Sequence, residues 1–158
     1  MRLYIKQKAF TWRDRFAVRD ESGADRYYVE GEFFSWGKKL HVYEAGGGEA
    51  AFIRQSLFSF MPKFEVMIGG RVIFEVIREL SFFKPRYAVT GMGWRIQGDI
   101  WAHEYVMEKT GECVACVSKA WFTWGDSYEL AVAEPADGLF ALCVLLAIDC
   151  AAAAQQFQ

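Results

Sequence analysis

The stretch that decides the fold is DGLFALCVLLAIDCAAAA, residues 137–154. It predicts a helix that is apolar on every side, because Asp149 is its only ionisable carboxylate after Asp137. Such a helix must be buried all round, either in a protein core or in a bilayer. A run of about 17 residues, interrupted by an acid and without flanking Lys or Arg, falls short of a membrane span. The rest of the chain is therefore expected to wrap around this helix.

Composition narrows the class of protein. The chain has 158 residues, of which 53% are apolar and 17% aromatic, so residues 1–158 are predicted to form one domain with one large core. The net charge of −2 disfavours a general nucleic-acid binder. The N-terminal stretch lacks the apolar segment of a signal peptide, and the four cysteines do not suggest a disulfide framework. A cytoplasmic location follows, either free or peripheral at the membrane.

An internal repeat organises the chain before the helix. Its pattern is Phe, a small hydroxyl residue, an aromatic residue, a short polar turn, and then an aromatic residue two positions before an apolar one. Copies occupy residues 10–18, 34–42, 58–66, 83–89 and 122–130, the fourth being two residues shorter. The first three copies start 24 residues apart, and such a fixed period indicates one repeated supersecondary unit.

The unit is a β-hairpin. Each copy is flanked by alternating runs rich in Val, Ile, Phe and Tyr, and Gly-rich turns separate one hairpin from the next. A poorer sixth hairpin is predicted to turn at Gln97–Asp99. Twelve strands follow, near residues 3–9, 15–19, 26–33, 39–44, 50–57, 63–68, 71–82, 86–90, 94–97, 100–108, 113–121 and 127–133.

Twelve strands and one apolar helix favour a mainly β fold, a closed twelve-stranded antiparallel barrel around a central, buried C-terminal α-helix. Closure removes the exposed edges of the sheet, and a barrel of this size has an interior wide enough for a helix. The alternative is a β-sandwich with the helix packed on one face. The barrel is favoured because a helix covered on one side should carry a polar face, which this helix lacks.

The segments GEFFSWGKKLHVY (31–43), SFFKPRYAV (81–89), SKAWFTWGDSYEL (118–130) and LFALCVLLAIDC (139–150) resemble the LURP-one-related family in its short bacterial form. That family is similar to the tubby C-terminal domain and to phospholipid scramblases. The resemblance covers nearly the whole chain and implies a twelve-stranded barrel around a central helix. Tubby domains bind phosphoinositide headgroups through basic residues, but those residues cannot be matched one by one onto this chain, so none is transferred.

In an up-and-down barrel, the turns that lead from odd-numbered to even-numbered strands all lie at one end. That end is predicted to be basic and aromatic, because it gathers seven cations against Asp14 and Asp126, whereas the other end gathers acids. Anionic lipid headgroups or phosphates would suit it. The alternative is that the aromatic residues close the barrel mouth and the cations only keep the turns soluble. The candidate ligand-binding cations are Arg13, Arg15, Lys38, Lys39, Lys63, Lys84 and Arg86.

Asp149 completes the candidate site. The helix runs back toward the basic end, so this carboxylate should arrive near the barrel mouth, where the helix dipole disfavours it. A buried carboxylate needs a basic or hydrogen-bonding partner. It could be a structural link to an Arg or Lys, or part of a ligand site.

Signals for catalysis and for metal or cofactor binding are weak. Cys113 and Cys116 are three residues apart on a strand and should face opposite sides, so a zinc site or dithiol would need a bent strand. His103 lacks the helical context of a metalloprotease motif, and His41 is expected to be an ordinary surface or packing residue. No Ser nucleophile motif, phosphate-binding loop or dinucleotide-binding loop is present. We therefore expect no metal and no cofactor.

The leading hypothesis is a non-enzymatic binding or scaffold module whose partner is an anionic membrane surface or a phosphorylated ligand. A second hypothesis is a protein-interaction or regulatory domain without a lipid role. A third, less favoured, is an enzyme that uses Asp149 at the barrel mouth. The sequence does not define an oligomeric state.

Overall fold

The computed structural model describes residues 1–6, 15–32, 35–120 and 127–155. Within them lie twelve strands, one short 3-10 helix at Pro135–Asp137 and one α-helix. The strands are β1 (Arg2–Lys6), β2 (Phe16–Asp20), β3 (Asp25–Gly31), β4 (Lys39–Glu44), β5 (Glu49–Gln55), β6 (Lys63–Ile68), β7 (Arg71–Glu79), β8 (Arg86–Thr90), β9 (Trp94–Asp99), β10 (Glu104–Lys109), β11 (Glu112–Ala120) and β12 (Ser127–Val132), and the helix is α1 (Gly138–Gln155).

The strands form a closed antiparallel barrel, which confirms the predicted fold class over the sandwich. Each strand pairs with its neighbours in the chain, and β1 closes the sheet against β12 with Leu3 opposite Leu130. Closure leaves the sheet without a free lateral edge, as the long run of hairpins predicted. Among the described residues, two neighbouring pairs of strands are held by only two registered pairs each: β8 and β9, through Ala88–Arg95 and Val89–Trp94, and β1 and β2.

Alternation along the strands directs one set of apolar side chains inward onto α1. Val42 of β4 and Val66 of β6 are fully buried, and residues 141–151 of the helix are buried on every side. By length and hydropathy, Pro135–Ala154 could cross a membrane, which corrects the expectation that it is too short. Its strongest window is nevertheless 67% buried within the protein, where it fills the barrel.

The turn of the sixth hairpin was misplaced in the prediction. Gln97–Asp99 belong to β9, and the turn lies at residues 100–103. Gly98 is needed inside the strand because it has φ +127° and an added Cβ would lie 2.5 Å from the Glu104 carbonyl oxygen. The Asp99 carboxylate accepts a hydrogen bond from the Ala102 N–H at 3.0 Å, which shapes the real turn.

The orientation of Cys113 and Cys116 also differs from the prediction. The register between β10 and β11 shifts at Met107/Glu108, so that Val114 has no direct partner on β10. Because this bulge adds one residue, Val114 and Ala115 are both buried, and the two cysteines lie on the same outer face. Their Sγ atoms are 3.1 Å apart. Simple strand alternation was therefore the wrong geometry for this segment.

Candidate functional site

One end of the barrel carries most of the exposed apolar surface. We call it the aromatic end and define it by the described parts of loops 32–38, 56–62, 80–85 and 100–103. Eight of the ten large apolar side chains found exposed in the described part of the chain lie in these loops. They are Trp36, Leu57, Phe58, Phe60, Leu80, Phe82, Phe83 and Trp101. Soluble proteins rarely leave such a group in water unless it contacts a partner or a membrane.

The loops at this end rest on one another. Gly37 has φ +77°, and an added Cβ would lie 2.7 Å from a Leu57 methyl carbon in the neighbouring loop. The Lys38 N–H donates to the Gln55 side-chain oxygen at 3.0 Å, and the Gln55 N–H donates to the Lys38 carbonyl at 2.8 Å. The glycine and these hydrogen bonds hold the β3–β4 loop close to the β5–β6 hairpin. The exposed Trp36 and Leu57 are thereby presented together.

Three of the predicted ligand-binding cations already face carboxylates. Lys39 Nζ lies 3.5 Å from a Glu32 carboxylate oxygen, and Lys63 Nζ lies 3.0 Å from one of Glu75. Lys84 Nζ lies 3.6 Å from a carboxylate oxygen of Asp99. The sequence-based count of charges omitted these three acids, so the positive charge at this end is smaller than predicted. The separation of charge along the barrel is weaker for the same reason.

The remaining predicted cations differ in their surroundings. Arg13, like Asp14 and Asp126, lies outside the described residues. Arg15 stacks its guanidinium over the Tyr28 ring at 4.3 Å. Partial burial lowers the pKa of Lys38, and the thiol of Cys150 acts in the opposite direction. Lys38 therefore lies near the last turns of α1, where a cation is favoured by the helix dipole.

Arg86 is exposed and lines a groove of about 840 Å³ together with Lys84. The groove follows the seam between β8 and β9, beyond the point where their register ends at Ala88–Arg95. Tyr87 and Ile100 lie among its lining residues and are themselves buried, so the groove reaches from the outer surface toward the interior. Its cationic rim and apolar floor are typical of sites for amphipathic anions.

Asp149 lies at the aromatic end of the barrel interior, as the direction of the helix predicted. Only 6% of its surface is exposed. The Tyr128 hydroxyl donates to Asp149 Oδ2 at 2.6 Å, and His103 Nε2 lies 3.3 Å from Oδ1. The expected Arg or Lys partner is therefore replaced in these contacts by a tyrosine and a histidine. Both carboxylate oxygens are engaged by the protein.

His103 is the functional-site residue that sequence reasoning missed. It has φ +54° and ends the turn that the Asp99 carboxylate shapes, and its ring stacks on Tyr128 at 4.8 Å. The hydrogen bond to Asp149 raises the pKa of His103, and this effect outweighs burial, which acts in the opposite direction. The available signal was a histidine in a turn at the end where Asp149 arrives, but the turn had been placed too early in the chain.

Two more tyrosines border this pair and make the interior polar here. The hydroxyls of Tyr87 and Tyr105 are buried and have no hydrogen-bond partner among the described residues. Burial, reinforced by the charge of Asp149, raises the pKa of Tyr105 far above its usual value. Burial also raises the pKa of Tyr87 to about 12, although the charge of Arg78 opposes the shift. These tyrosines are therefore neutral hydrogen-bonding groups near neutral pH. Within the described ranges, no group of three or more His, Cys, Asp or Glu side chains is arranged to hold a metal ion.

His41 is a surface residue, as predicted, and bridges two acids. Its Nδ1 lies 2.7 Å from a Glu49 oxygen and its Nε2 lies 2.8 Å from a Glu32 oxygen. Partial burial lowers the pKa of His41, but the two carboxylates outweigh it and the net shift is upward. The bridge links β4, β5 and the start of the β3–β4 loop on the outside of the barrel.

Comparisons with known proteins agree with this architecture. A solved X-ray structure of a protein from Arabidopsis thaliana is similar over 94% of this chain and 89% of its own, with a TM-score of 0.64 and 15% identity. The uncharacterized protein YxjI of Bacillus subtilis (strain 168) is 35% identical over 147 residues, which are 93% of this chain and 91% of that protein. The family model described as LURP-one-related matches residues 1–149. The chain therefore belongs to the LURP-one-related family.

Proposed function

We propose that this domain is a non-enzymatic binding module that attaches, in the cytoplasm, to anionic membrane surfaces through its aromatic end. The concentration of exposed large apolar side chains in four neighbouring loops carries the proposal. Phe82 and Phe83 are 100% and 92% exposed, and Phe58 is fully exposed. Full burial of one such side chain is worth about 1.5–3 kcal/mol, so partial insertion of several into the bilayer interface supplies a substantial driving force.

Cations beside these loops support a membrane over a neutral apolar partner. Lys38, Lys84 and Arg86 lie next to the exposed aromatic residues, and each cation near an anionic surface contributes about 1 kcal/mol. Because Lys84 also faces Asp99, insertion of apolar side chains should contribute more than charge. Binding should therefore weaken with salt without disappearing.

The environment of Asp149 supports a structural role over catalysis. Its carboxylate is almost completely buried and accepts from Tyr128 while contacting His103. A catalytic carboxylate must reach its substrate, and this one has both oxygens occupied by protein groups. The links to Tyr128 and His103 instead fasten the last turns of α1 to β12 and to the β9–β10 turn at the aromatic end. We propose that this anchoring keeps the membrane-facing loops in place.

Vesicle cosedimentation tests the proposal. The wild-type chain should sediment with vesicles of phosphatidylcholine and phosphatidylglycerol, and less with phosphatidylcholine alone. Replacement of Phe82 and Phe83 by Ser should weaken the partition by about 10- to 100-fold, since each side chain loses part of its burial. The control is the replacement of Val72 and Ile73 by Ser, which removes exposed apolar side chains away from the aromatic end and should leave binding unchanged.

Charge reversal supplies a second matched comparison. The pair Lys84→Glu and Arg86→Glu should weaken binding to anionic vesicles by more than about tenfold. The pair Arg71→Glu and Lys109→Glu makes the same change in net charge at the opposite end and should have a small effect. Failure of the wild type to bind anionic vesicles at low salt would contradict the proposal and favour a protein partner. Equal losses of vesicle binding in the two charge-reversal variants would contradict the assignment of the membrane-binding surface to the aromatic end.

A further inference from the structure

Cys113 and Cys116 form a pair of thiols on the outer surface of the barrel. Their Sγ atoms are 3.1 Å apart, within hydrogen-bonding distance for sulfur. Cys113 is exposed and Cys116 is partly exposed. The other two cysteines, Cys143 and Cys150, are fully buried in α1. One pair of cysteines is therefore accessible to reagents in the folded protein, and one pair is not.

The bulge in β11 creates this pair. Met107 faces Ala115, whereas the next residue, Glu108, faces Cys113, so the register skips Val114. Without the bulge, cysteines three positions apart would lie on opposite sides of the sheet. With it, both side chains leave the same face, and their sulfurs lie 3.1 Å apart, about 1 Å from the length of an S–S bond. Close approach of this kind is the main geometric requirement for an intramolecular disulfide.

We propose that Cys113 and Cys116 are a redox-active dithiol that is oxidised to a disulfide by exchange with a low-molecular-weight disulfide. In the first step, the Cys113 thiolate attacks one sulfur of that disulfide, forms a mixed disulfide and releases one small thiolate. In the second step, the Cys116 thiolate attacks the Cys113 sulfur and releases the second small thiolate. The protein loses two electrons and two protons, and the small disulfide gains them as two thiols.

The surroundings assign the order of the two sulfurs. Burial, together with the hydrogen bond to Cys113 and its charge, raises the pKa of Cys116 to about 11. Cys113 is the more exposed and therefore the first to react with an external disulfide.

The dithiol lies near the β10–β11 turn, away from the aromatic end. A membrane bound at the aromatic end would leave it in water. The redox proposal is therefore independent of the proposed function, and each can fail without the other.

Intact-mass measurement after incubation of the reduced full chain with oxidised glutathione tests the proposal. The wild type should lose two hydrogens and retain no glutathione, and trypsin should release the new disulfide within residues 110–119, between Lys109 and Lys119. The Cys116→Ser variant should stop at one glutathione per chain, because no second thiol can displace it. The Cys113→Ser variant should react at least about tenfold more slowly, since only the half-buried thiol remains.

The double variant, Cys113→Ser with Cys116→Ser, is the control. It should take up no glutathione while folded, because Cys143 and Cys150 are buried, and should expose two reactive thiols after denaturation. A wild-type chain that keeps both thiols, or that accumulates a stable mixed disulfide, would overturn the proposal. Faster reaction of Cys113→Ser than of Cys116→Ser would overturn the assigned order.

Discussion

Removal of the Tyr128 hydroxyl tests whether Asp149 is held as a buried anion. The perturbation is Tyr128→Phe, which deletes one oxygen and leaves the ring that stacks on His103 at 4.8 Å. The lost hydrogen bond is short, 2.6 Å from Oη to Asp149 Oδ2, and its acceptor is 6% exposed. A carboxylate left with fewer donors in such a site pays part of its desolvation cost.

Hydrogen bonds to charged groups contribute about 1.5–3 kcal/mol, so we expect Tyr128→Phe to lower the free energy of unfolding by that amount. For a chain of this size, the melting temperature should fall by about 3–10 °C. The same substitution in an Asp149→Asn background removes a neutral hydrogen bond and should cost about 0.5–1.5 kcal/mol. The difference between the two backgrounds isolates the contribution of the charge.

Urea unfolding at neutral pH, followed by tryptophan fluorescence for the wild type, both single variants and the double variant, measures this cycle. A cost below about 0.5 kcal/mol for Tyr128→Phe would show that the hydroxyl does not stabilise the carboxylate. Equal costs in the Asp149 and Asn backgrounds would show that Asp149 is not charged in the folded protein. Either result would refute the account of a buried anion that anchors α1.

Three further predictions concern the same fold. The pKa of His103 is raised in the folded state, so protonated His103 contributes fully to the free energy of unfolding below about pH 6.5, and this contribution is lost as the pH rises through the raised pKa. In urea unfolding at several pH values, His103→Gln should therefore lose less stability with rising pH than the wild type. The remaining dependence should come in part from His41, whose pKa is also raised. Gly98→Ala should lower the free energy of unfolding by more than about 2 kcal/mol in urea, because the added Cβ meets the backbone of residues 104 and 105 and the φ of Gly98 is positive. Gly48→Ala is the control: the space around Gly48 is open, so stability should change by less than about 0.5 kcal/mol. Leu142→Ala should cost about 2–5 kcal/mol in calorimetry because the side chain is fully buried in α1, and a loss as small as that of the half-exposed Leu57→Ala would contradict a filled barrel.

The architecture was predictable because several levels of the sequence agree. The repeated hairpin predicted the antiparallel order of the strands. The uniformly apolar helix had to be covered on every side, so a closed barrel could be predicted without knowing which distant strands pair. The exposure of Phe58, Phe82 and Phe83 was less predictable, since aromatic residues in turns can equally close a barrel mouth. Their outward position depends on how completely α1 and the inward-facing strand residues already fill the interior.

The site details escaped prediction for reasons that involve single residues. A bulge adds one residue to a strand without changing its apolar content. The sequence of β11 therefore could not show whether the side chains of Cys113 and Cys116 leave the same face of the sheet or opposite faces. Gly98 resembles a turn residue but serves close packing inside β9, and this moved the predicted turn away from His103. Glu75 and Asp99, which face Lys63 and Lys84, lie on the neighbouring strands β7 and β9, so counting charges turn by turn could not find them. Glu32, which faces Lys39, lies in the same loop as the predicted turn and was left out of the count.

The placement of α1 after all twelve strands has a consequence for biosynthesis. The helix that fills the barrel leaves the ribosome after all twelve strands have been synthesised. The sheet must therefore stay open, with its inner apolar face uncovered, until α1 arrives. The closing pairs between β1 and β12, such as Leu3 with Leu130, join residues from opposite ends of the strand series and are the slowest kind of contact to form. Nascent chains of this kind should therefore depend on chaperones that shelter an unfinished sheet until the helix has docked and the two outer strands can join.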